Sequence, residues 1–328
     1  MISAIFRLYR AAQYLKLSKR PSALKVLSRY PKLDLSVLET GSDRSRIYIK
    51  GTDVEVTAKH CQFLLRGSDQ VQRLVREAKA SLKSLPDGVL LEVGGVKLKL
   101  QNWEELFIAT EIFAEGIYNL RLQSPFALLD IGMNVGTTSL FFAGNPACQA
   151  IYGFEPFPKT VEKARVNLSL NPDLAGKIHV TAKGVAAREF GTELDFVEEY
   201  KGSVGLHGVP GYLRPVLSPA EFEKVRVEFM ACADVFAEFV QKHPLTTLVC
   251  KLDCEGAEYE ILEALARAGL LSRIGYFIIE WHEKGAGPLE AILIENGFCL
   301  LSFSPHAPTH SMIYAWQPRA DLGQKTTP

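Results

Sequence analysis

The stretch Leu128-Leu129-Asp130-Ile131-Gly132-Met133-Asn134-Val135-Gly136 joins an apolar run to a turn that contains two glycines. The apolar residues predict a buried strand, and the residues from Thr137 to Phe142 predict a helix directly after the turn. Glycine adopts backbone angles that are closed to other residues, and it lets a ligand approach the main chain. A strand, a glycine turn and a helix in this order are typical of a doubly wound α/β sheet, in which ligands bind beyond the carboxyl ends of the strands.

Two acidic residues at predicted strand ends indicate the class of ligand. Asp130 ends the first strand, and Glu155 ends a second apolar strand at roughly the 20-residue interval expected for an acid that binds a ribose. The dinucleotide fingerprint Gly-x-Gly-x-x-Gly is incomplete, because Asn134 and Thr137 replace its second and third glycines. Asp130 would also repel a pyrophosphate, but not ammonium and sulfonium groups. The pattern therefore favours S-adenosylmethionine over a nicotinamide dinucleotide.

Three motifs resemble, in order and spacing, the signatures of the FkbM family of S-adenosylmethionine-dependent methyltransferases. They are Asp130-Ile-Gly-Met-Asn-Val-Gly136, Phe154-Glu155-Pro156 and Lys251-Leu-Asp-Cys-Glu-Gly-Ala-Glu258. The resemblance extends from about Phe113 to about Trp316. It implies an α/β class I methyltransferase (Rossmann-like) fold: a doubly wound seven-stranded sheet, mostly parallel with one antiparallel strand, that binds S-adenosylmethionine.

The chain divides into three predicted regions. Residues 1–100 form an N-terminal accessory region with a basic helix, short strands and a hairpin. Residues 101–318 form the methyltransferase domain, in which residues 184–246 are an insertion or lid. Residues 319–328 are a polar tail that we expect to be disordered. Within the insertion, the glycine-rich run 202–211 is predicted to close over the acceptor; the alternative is a plain surface loop.

Composition excludes several classes of protein. The net charge of the 328-residue chain is zero, so no overall field favours nucleic acid as a partner. The six cysteines include no Cys-x-x-Cys pair, so we expect no zinc site. We assign no metal ligands from the sequence, which does not indicate whether a metal ion assists the reaction. A chain of this size does not need disulfides, which favours a reducing cytoplasm. No apolar run reaches the roughly 18 residues of a membrane span.

The amino terminus is the exception to this neutral composition. Residues 1–33 contain eight basic residues and no acidic residue, and apolar residues are interleaved with them. This pattern predicts peripheral membrane contact through residues 1–20, by a basic amphipathic helix. The alternative is a helix that packs on its own domain with a solvated basic face.

The resemblance implies a set of cofactor-binding residues at the first three strand ends. Here the chain has Met133 where the family usually has alanine, and the larger side chain predicts a tighter pocket. No clear amide or acid comes after the third strand to contact adenine. The predicted cofactor-binding residues are Asp130, Gly132, Asn134, Gly136, Glu155, Pro156 and Val185.

The predicted catalytic residues lie at the ends of the fourth and fifth strands. Asp253 should face Asp130 across the crevice, with helix capping as its alternative role. We assign proton acceptance to His282, because a neutral imidazole has a pKa of about 6.5, near the working pH. Asp253 then orients the acceptor hydroxyl. The alternative is that His282 is a structural histidine at the end of the strand, and that proton acceptance falls to Asp253 or to a bound metal ion. The predicted substrate-binding residues are Ser203, His207, Glu255 and Glu280.

The predicted reaction is methylation of a hydroxyl on a sugar, a glycan or a natural product. Two alternatives remain open. One is a non-catalytic binding or assembly module that keeps the methyltransferase fold. The other is a nucleic-acid methyltransferase, which would need an Asn/Asp-Pro-Pro-aromatic turn after the fourth strand and a basic groove. The sequence does not indicate the oligomeric state.

Overall fold

The computed structural model describes residues 13–14, 17, 25–30, 33–41, 46–120, 122–211, 213–303 and 310–318. The chain forms two compact units, Met1–Gly116 and Ile117–Pro328. The first unit therefore extends beyond the predicted boundary near residue 100 and includes the helix Trp103–Thr110. Most of the predicted basic helix and the whole tail 319–328 lie outside the described residues.

The first unit contains two small antiparallel sheets. Strands β1 (Leu38–Thr40) and β2 (Ile47–Ile49) form a pair, and β3 (Ser81–Leu85), β4 (Gly88–Val93) and β5 (Val96–Leu100) form a meander. The predicted hairpin is present, and its turn residues Gly94 and Gly95 have φ angles of 58° and 83°. The helices are Phe63–Arg66, Ser68–Arg76 and Trp103–Thr110, followed by a π-helical turn at Glu111–Glu115.

The second unit is built on the predicted seven-stranded sheet. The strands of this unit, seven of which form the main sheet, are in chain order β6 (Phe126–Ile131), β7 (Cys148–Phe154), β8 (Ile178–Thr181), β9 (Gly184–Ala186), β10 (Phe190–Phe196), β11 (Glu223–Ala231), β12 (Thr247–Leu252), β13 (Tyr276–His282), β14 (Cys299–Ser302) and β15 (His310–Trp316). The main sheet has the order β14-β15-β13-β12-β6-β7-β8. In this sheet β15 pairs antiparallel with both of its neighbours, β13 and β14, and the remaining neighbouring strands pair parallel. The predicted class I methyltransferase fold is therefore confirmed.

Helices cover both faces of this sheet, as a central parallel strand requires. Every residue of β6 is buried. Residues Ala127, Leu129 and Ile131 face one core, and the ring of Phe126 on the opposite face lies 6.2 Å from that of Phe142. The helices of the second unit are Thr137–Ala143, Pro158–Ser169, Pro172–Ala175, Cys232–Lys242, Glu258–Arg267 and Gly287–Glu295. No helix in the described part of the chain has the length and apolar character needed to cross a membrane.

The insertion has a fold of its own. Strands β9, β10 and β11 form a second sheet in the order β10-β11-β9, in which β11 pairs with β10 antiparallel and with β9 parallel. The connection between β10 and β11 returns over this sheet, and its residues Val204, Val209 and Leu213 pack against Phe196 and Phe229. The helix Cys232–Lys242 then leads back to β12. The predicted lid is thus anchored by a small hydrophobic core.

Candidate active site

A cavity that is partly open to solvent lies beyond the carboxyl ends of β6, β7 and β12, where a doubly wound sheet binds its ligands. We call it the strand-end cavity. Its wall combines the turns after these strands with the connection between β10 and β11. The residues that line it are Ile131, Gly132, Asn134, Phe154, Glu155, Pro156, Phe157, Gly184, Val185, Lys201, Gly202, Val204, Gly205, Leu206, Phe229, Asp253, Cys254, Glu255 and Ala257.

The glycine turn after β6 brings two strand ends into contact. Gly132 has a φ of 80°, and a Cβ at this position would lie 1.7 Å from the carbonyl oxygen of Asp253. Any side chain would therefore separate β6 from β12. Asn134 also has a positive φ, 51°, which is uncommon outside glycine. Its side-chain Oδ1 is buried and has no hydrogen-bond partner among the described residues.

Glu155 is held between two turns. Its carboxylate accepts hydrogen bonds from the backbone N–H groups of Asn134 and Phe157, both at 3.0 Å. The residue is 6% exposed. Burial raises the pKa of Glu155 to about 7, although the two backbone N–H groups act in the opposite direction. The carboxylate is thus fixed in the cavity wall, with its charge only partly compensated.

Lys251 links the ends of β6 and β12 beneath the cavity. Its Nζ lies 2.5 Å from the carbonyl oxygen of Gly132, 3.1 Å from Asp253 Oδ2 and 3.4 Å from Asp130 Oδ1. Burial alone would lower its pKa, but Asp253 and Asp130 outweigh that effect and raise it. No role was predicted for this residue from the sequence. The available signal was a lysine within an otherwise apolar central strand, since such a charge needs buried partners.

Asp253 stands where β12 ends and the cavity begins. Besides Lys251, it contacts Tyr118, whose hydroxyl donates to Asp253 Oδ2 at 3.4 Å. Asp253 lines the cavity, and 26% of its side chain is exposed. Two donors therefore fix this carboxylate while leaving part of it accessible to a ligand.

His282, at the end of β13, is surrounded by carboxylates. Its Nδ1 lies 3.0 Å from Glu258 Oε1, and its Nε2 lies 3.6 Å from Glu255 Oε1 and 3.8 Å from Glu280 Oε1. Glu258 is itself fixed, because it accepts hydrogen bonds from the backbone N–H groups of Cys254 and Gly256, each at 2.9 Å. The imidazole ring is therefore held in one orientation.

Comparison with known proteins identifies the family. Residues 130–300 match the sequence model described as Methyltransferase FkbM domain. This match covers more than half of the chain. The chain belongs to the FkbM methyltransferase family.

Individual relatives of this FkbM methyltransferase are distant. Methyltransferase sdnD of Sordaria araneosa is 27% identical over an alignment of 216 residues, and the alignment covers 60% of this chain and 82% of that protein. The crystal structure of methyltransferase FkbM from Methylobacillus flagellatus KT covers 77% of this chain with 13% identity and a TM-score of 0.40, and this chain covers 60% of it. The structure of magnesium protoporphyrin IX methyltransferase ChlM from Synechocystis PCC 6803 was solved with bound S-adenosylmethionine. It shows 13% identity and a TM-score of 0.33, and the match covers 64% of this chain and 76% of that protein.

The structure places the predicted cofactor residues of the FkbM methyltransferase in two groups. Gly132, Asn134, Glu155, Pro156 and Val185 line the strand-end cavity. Asp130 and Gly136 are not among its described lining residues. Asp130 is fully buried, and it accepts a hydrogen bond from the Ser139 hydroxyl at 2.6 Å. Gly136 stands directly before the helix Thr137–Ala143 with a φ of 82°. Both residues support the glycine turn after β6 without lining the cavity.

Met133 does not make the pocket of the FkbM methyltransferase tighter. The residue is 1% exposed and is absent from the described lining of the cavity. Its thioether packs over Gly153, where a Cβ would lie 2.3 Å from the sulfur. The expected effect on the pocket is therefore wrong, because the side chain turns towards β7.

Of the two predicted catalytic residues, one lies in the cavity wall and the other lies behind it. Asp253 lines the cavity, whereas His282 is not among its described lining residues. Burial would lower the pKa of His282, but the hydrogen bond to Glu258 and the charges of Glu255 and Asp253 raise it to about 10. His282 therefore carries a proton at neutral pH. This arrangement contradicts the reason for assigning proton acceptance to a neutral imidazole.

The predicted substrate-binding residues also lie in different places. Glu255 lines the cavity, and Glu280 lies behind it beside His282, where burial raises the pKa of Glu280 to about 7. Ser203 is half-buried and His207 is exposed, and neither is among the described lining residues. Their neighbours Gly202, Val204, Gly205 and Leu206 form that part of the wall instead.

Lys201 is a cavity residue that was not predicted from the sequence. It is 3% exposed, it lines the cavity, and its charge lowers the pKa of Glu155. In the sequence it is one lysine in a charged stretch, so no local pattern distinguished it. Only the return of the connection between β10 and β11 brings it to the end of β7.

Proposed function

We propose that this FkbM methyltransferase transfers a methyl group from S-adenosylmethionine to a hydroxyl of a sugar, a glycan or a natural product. The observation that carries the proposal is the position of Glu155, a buried carboxylate fixed in the wall beside the glycine turn. A carboxylate at the end of the second strand can accept hydrogen bonds from both hydroxyls of a ribose. The class of acceptor comes from the family resemblance.

The residues present fit this cofactor. The buried Oδ1 of Asn134 lies in the turn that lines the cavity, and it offers an acceptor to an amino group. Three carboxylates in the wall, Glu155, Asp253 and Glu255, face one ammonium group, Lys201. This balance favours a cofactor with ammonium and sulfonium charges, and it disfavours the pyrophosphate of a dinucleotide.

The chain's own residues then align and deprotonate the acceptor. When bound, S-adenosylmethionine supplies a methyl group that its sulfonium already activates. Asn134 and Glu155 fix its two ends, and alignment accounts for most of the rate gain. Asp253 faces the cavity, so it can orient the acceptor hydroxyl and take its proton as the carbon–oxygen bond forms. In this proposal Asp253 takes the proton that we first assigned to His282.

Calorimetric titration tests the cofactor. We expect S-adenosylmethionine and its product S-adenosylhomocysteine to bind, and NAD to show no binding under the same conditions. Tight binding of NAD without a response to either of the other ligands would refute the proposal. Transfer of a radiolabelled methyl group to a panel of sugars, with single-stranded RNA and DNA as comparison acceptors, then separates the proposed reaction from a non-catalytic module and from a nucleic-acid methyltransferase.

A further inference from the structure

Three side chains beside the strand-end cavity can each offer one ligand atom to a common centre. Asp253, Glu255 and His282 bring these atoms within 4.8 Å of one another. We propose that they form a binding site for a divalent metal ion. Glu280 adjoins the site, since its Oε1 lies 3.8 Å from His282 Nε2.

The orientation of His282 supports a ligand role. A histidine that binds a metal ion almost always donates its other ring N–H to a carboxylate or a carbonyl group, which fixes the ring. Here Nδ1 lies 3.0 Å from Glu258 Oε1, and Glu258 is fully buried and held by two backbone N–H groups. Nε2 is the nitrogen that faces Glu255 and Glu280.

The charges around the site also favour a cation. Lys251 and His282 are the two cationic side chains that contact this group in the described part of the chain. The carboxylates in contact with them are Asp130, Asp253, Glu255, Glu258 and Glu280. Buried charges are stable only when they are paired or bind a metal ion. A divalent cation would compensate the excess of negative charge.

The ligand set indicates the class of metal. Carboxylate oxygens suit magnesium, calcium and manganese, whereas imidazole suits zinc, iron and nickel. The mixed set therefore indicates a divalent ion, for which manganese(II) serves as the probe. Asp253 and Glu255 belong to the cavity wall, so the cation would lie beside the acceptor. There it would bind the acceptor hydroxyl and ease the loss of its proton. This role rests on the proposed methyl transfer, whereas binding of the cation does not.

Titration of the full-length, chelator-treated protein with manganese(II) tests the site. Free manganese is measured by its electron paramagnetic resonance signal. We expect one bound ion per chain, and a loss of affinity of at least about tenfold in Glu255→Gln and in His282→Gln. The matched control is Glu238→Gln, because Glu238 is an exposed acid paired with Lys242 at 2.7 Å. It should bind manganese like the wild type.

Parallel measurements keep this proposal distinct from the proposed function. Circular dichroism establishes that each variant folds; if one does not, Asp253→Asn replaces it. Absence of manganese binding by the wild type, or equal binding by the wild type and both variants, would overturn the metal site. If S-adenosylhomocysteine still binds in that case, the proposed cofactor stands. If manganese binds but S-adenosylhomocysteine does not, the metal site stands and the proposed function fails.

Discussion

The burial of Glu155 lowers the stability of the ligand-free protein at neutral pH, although it places the carboxylate where we propose that it binds the ribose. Its carboxylate is 6% exposed, and burial raises its pKa to about 7. A carboxyl group whose pKa is raised in the folded state stabilises the fold while it is protonated. That contribution is lost as the pH rises through 7, where the ionised form predominates. The same ionised form is the better acceptor for ribose hydroxyls.

The binding of S-adenosylhomocysteine should therefore strengthen as the pH rises from 6 to 8. Glu155→Gln should bind the ligand about tenfold more weakly or worse at pH 8, because a charge-assisted hydrogen bond is worth roughly 1.5–3 kcal/mol. Its affinity should also lose most of the pH dependence. In the absence of ligand, the melting temperature of the variant relative to the wild type should rise over the same pH range. Calorimetry and thermal unfolding measure the two effects.

The control for this prediction is Glu228→Gln, since Glu228 is an exposed acid that pairs with Lys183 at 2.9 Å. It should keep the affinity and the pH dependence of the wild type. If Glu155→Gln binds S-adenosylhomocysteine as well as the wild type does at pH 8, Glu155 has no role in holding the ribose.

At the residue scale, residues at strand ends could be predicted from the sequence better than residues inside the strands. Gly132, Asn134 and Glu155 come directly after apolar runs, so their place at the strand ends could be inferred from local pattern. Lys251 differs, because its role depends on the register that places it opposite Asp130 in the parallel pair of β12 and β6. Such a register involves residues far apart in the chain, and one sequence does not reveal it.

At the scale of elements, the insertion closes one side of the cavity by close contact with the turn after β12. A Cβ at Gly205 would lie 2.3 Å from the carbonyl oxygen of Glu255. The strands Phe190–Phe196 and Glu223–Ala231 alternate apolar and polar residues, and this local pattern favours a strand. The parallel pairing of β11 with β9 was not predicted, because it joins residues separated by the whole of β10 and its connection.

Gly205→Ala should loosen this closure. The added methyl group would force the connection away from Glu255, and overpacking of this kind typically costs about 1–3 kcal/mol. We expect residues 202–211 to exchange backbone hydrogen faster and S-adenosylhomocysteine to bind several-fold more weakly. Hydrogen-exchange mass spectrometry and calorimetry make the two measurements.

Gly211→Ala provides the matched control, because a Cβ at that position has no atom of the described residues within 4 Å apart from its chain neighbours. It should exchange and bind like the wild type. Identical behaviour of the two alanine variants would mean that the contact between Gly205 and Glu255 does not close the cavity.

At the scale of the whole molecule, the balance of 37 basic and 37 acidic residues hides an uneven distribution. Eight of the basic residues lie within residues 1–33, which contain no acid. The remainder of the chain is therefore acidic overall. We expect this segment to be the source of any attraction to an anionic membrane surface, since each basic residue near such a surface contributes about 1 kcal/mol.

Replacement of four basic residues in this segment by glutamine should lower binding to anionic lipid vesicles by more than about tenfold. Vesicle sedimentation with anionic and with neutral lipids is the measurement, and neutral vesicles should bind neither protein. The residues to replace are Arg7, Arg10, Lys16 and Lys19. A second variant, with four exposed basic residues of the second unit replaced, should bind like the wild type. These control residues are Lys159, Lys224, Lys242 and Arg267. Equal loss in both variants would mean that attraction is general rather than local to the amino terminus.

The packing of Met133 over Gly153 has a consequence for how family members can diverge. The thioether of Met133 fills the volume that a side chain at position 153 would need, and its methyl group reaches to 3.1 Å from a Cβ placed at Gly136. A side chain at position 153 would therefore require the side chain of Met133 to move. A family member with alanine at position 133 has room for a larger residue at position 153. The two positions are expected to covary in evolution, with a gain of volume at one accompanied by a loss at the other.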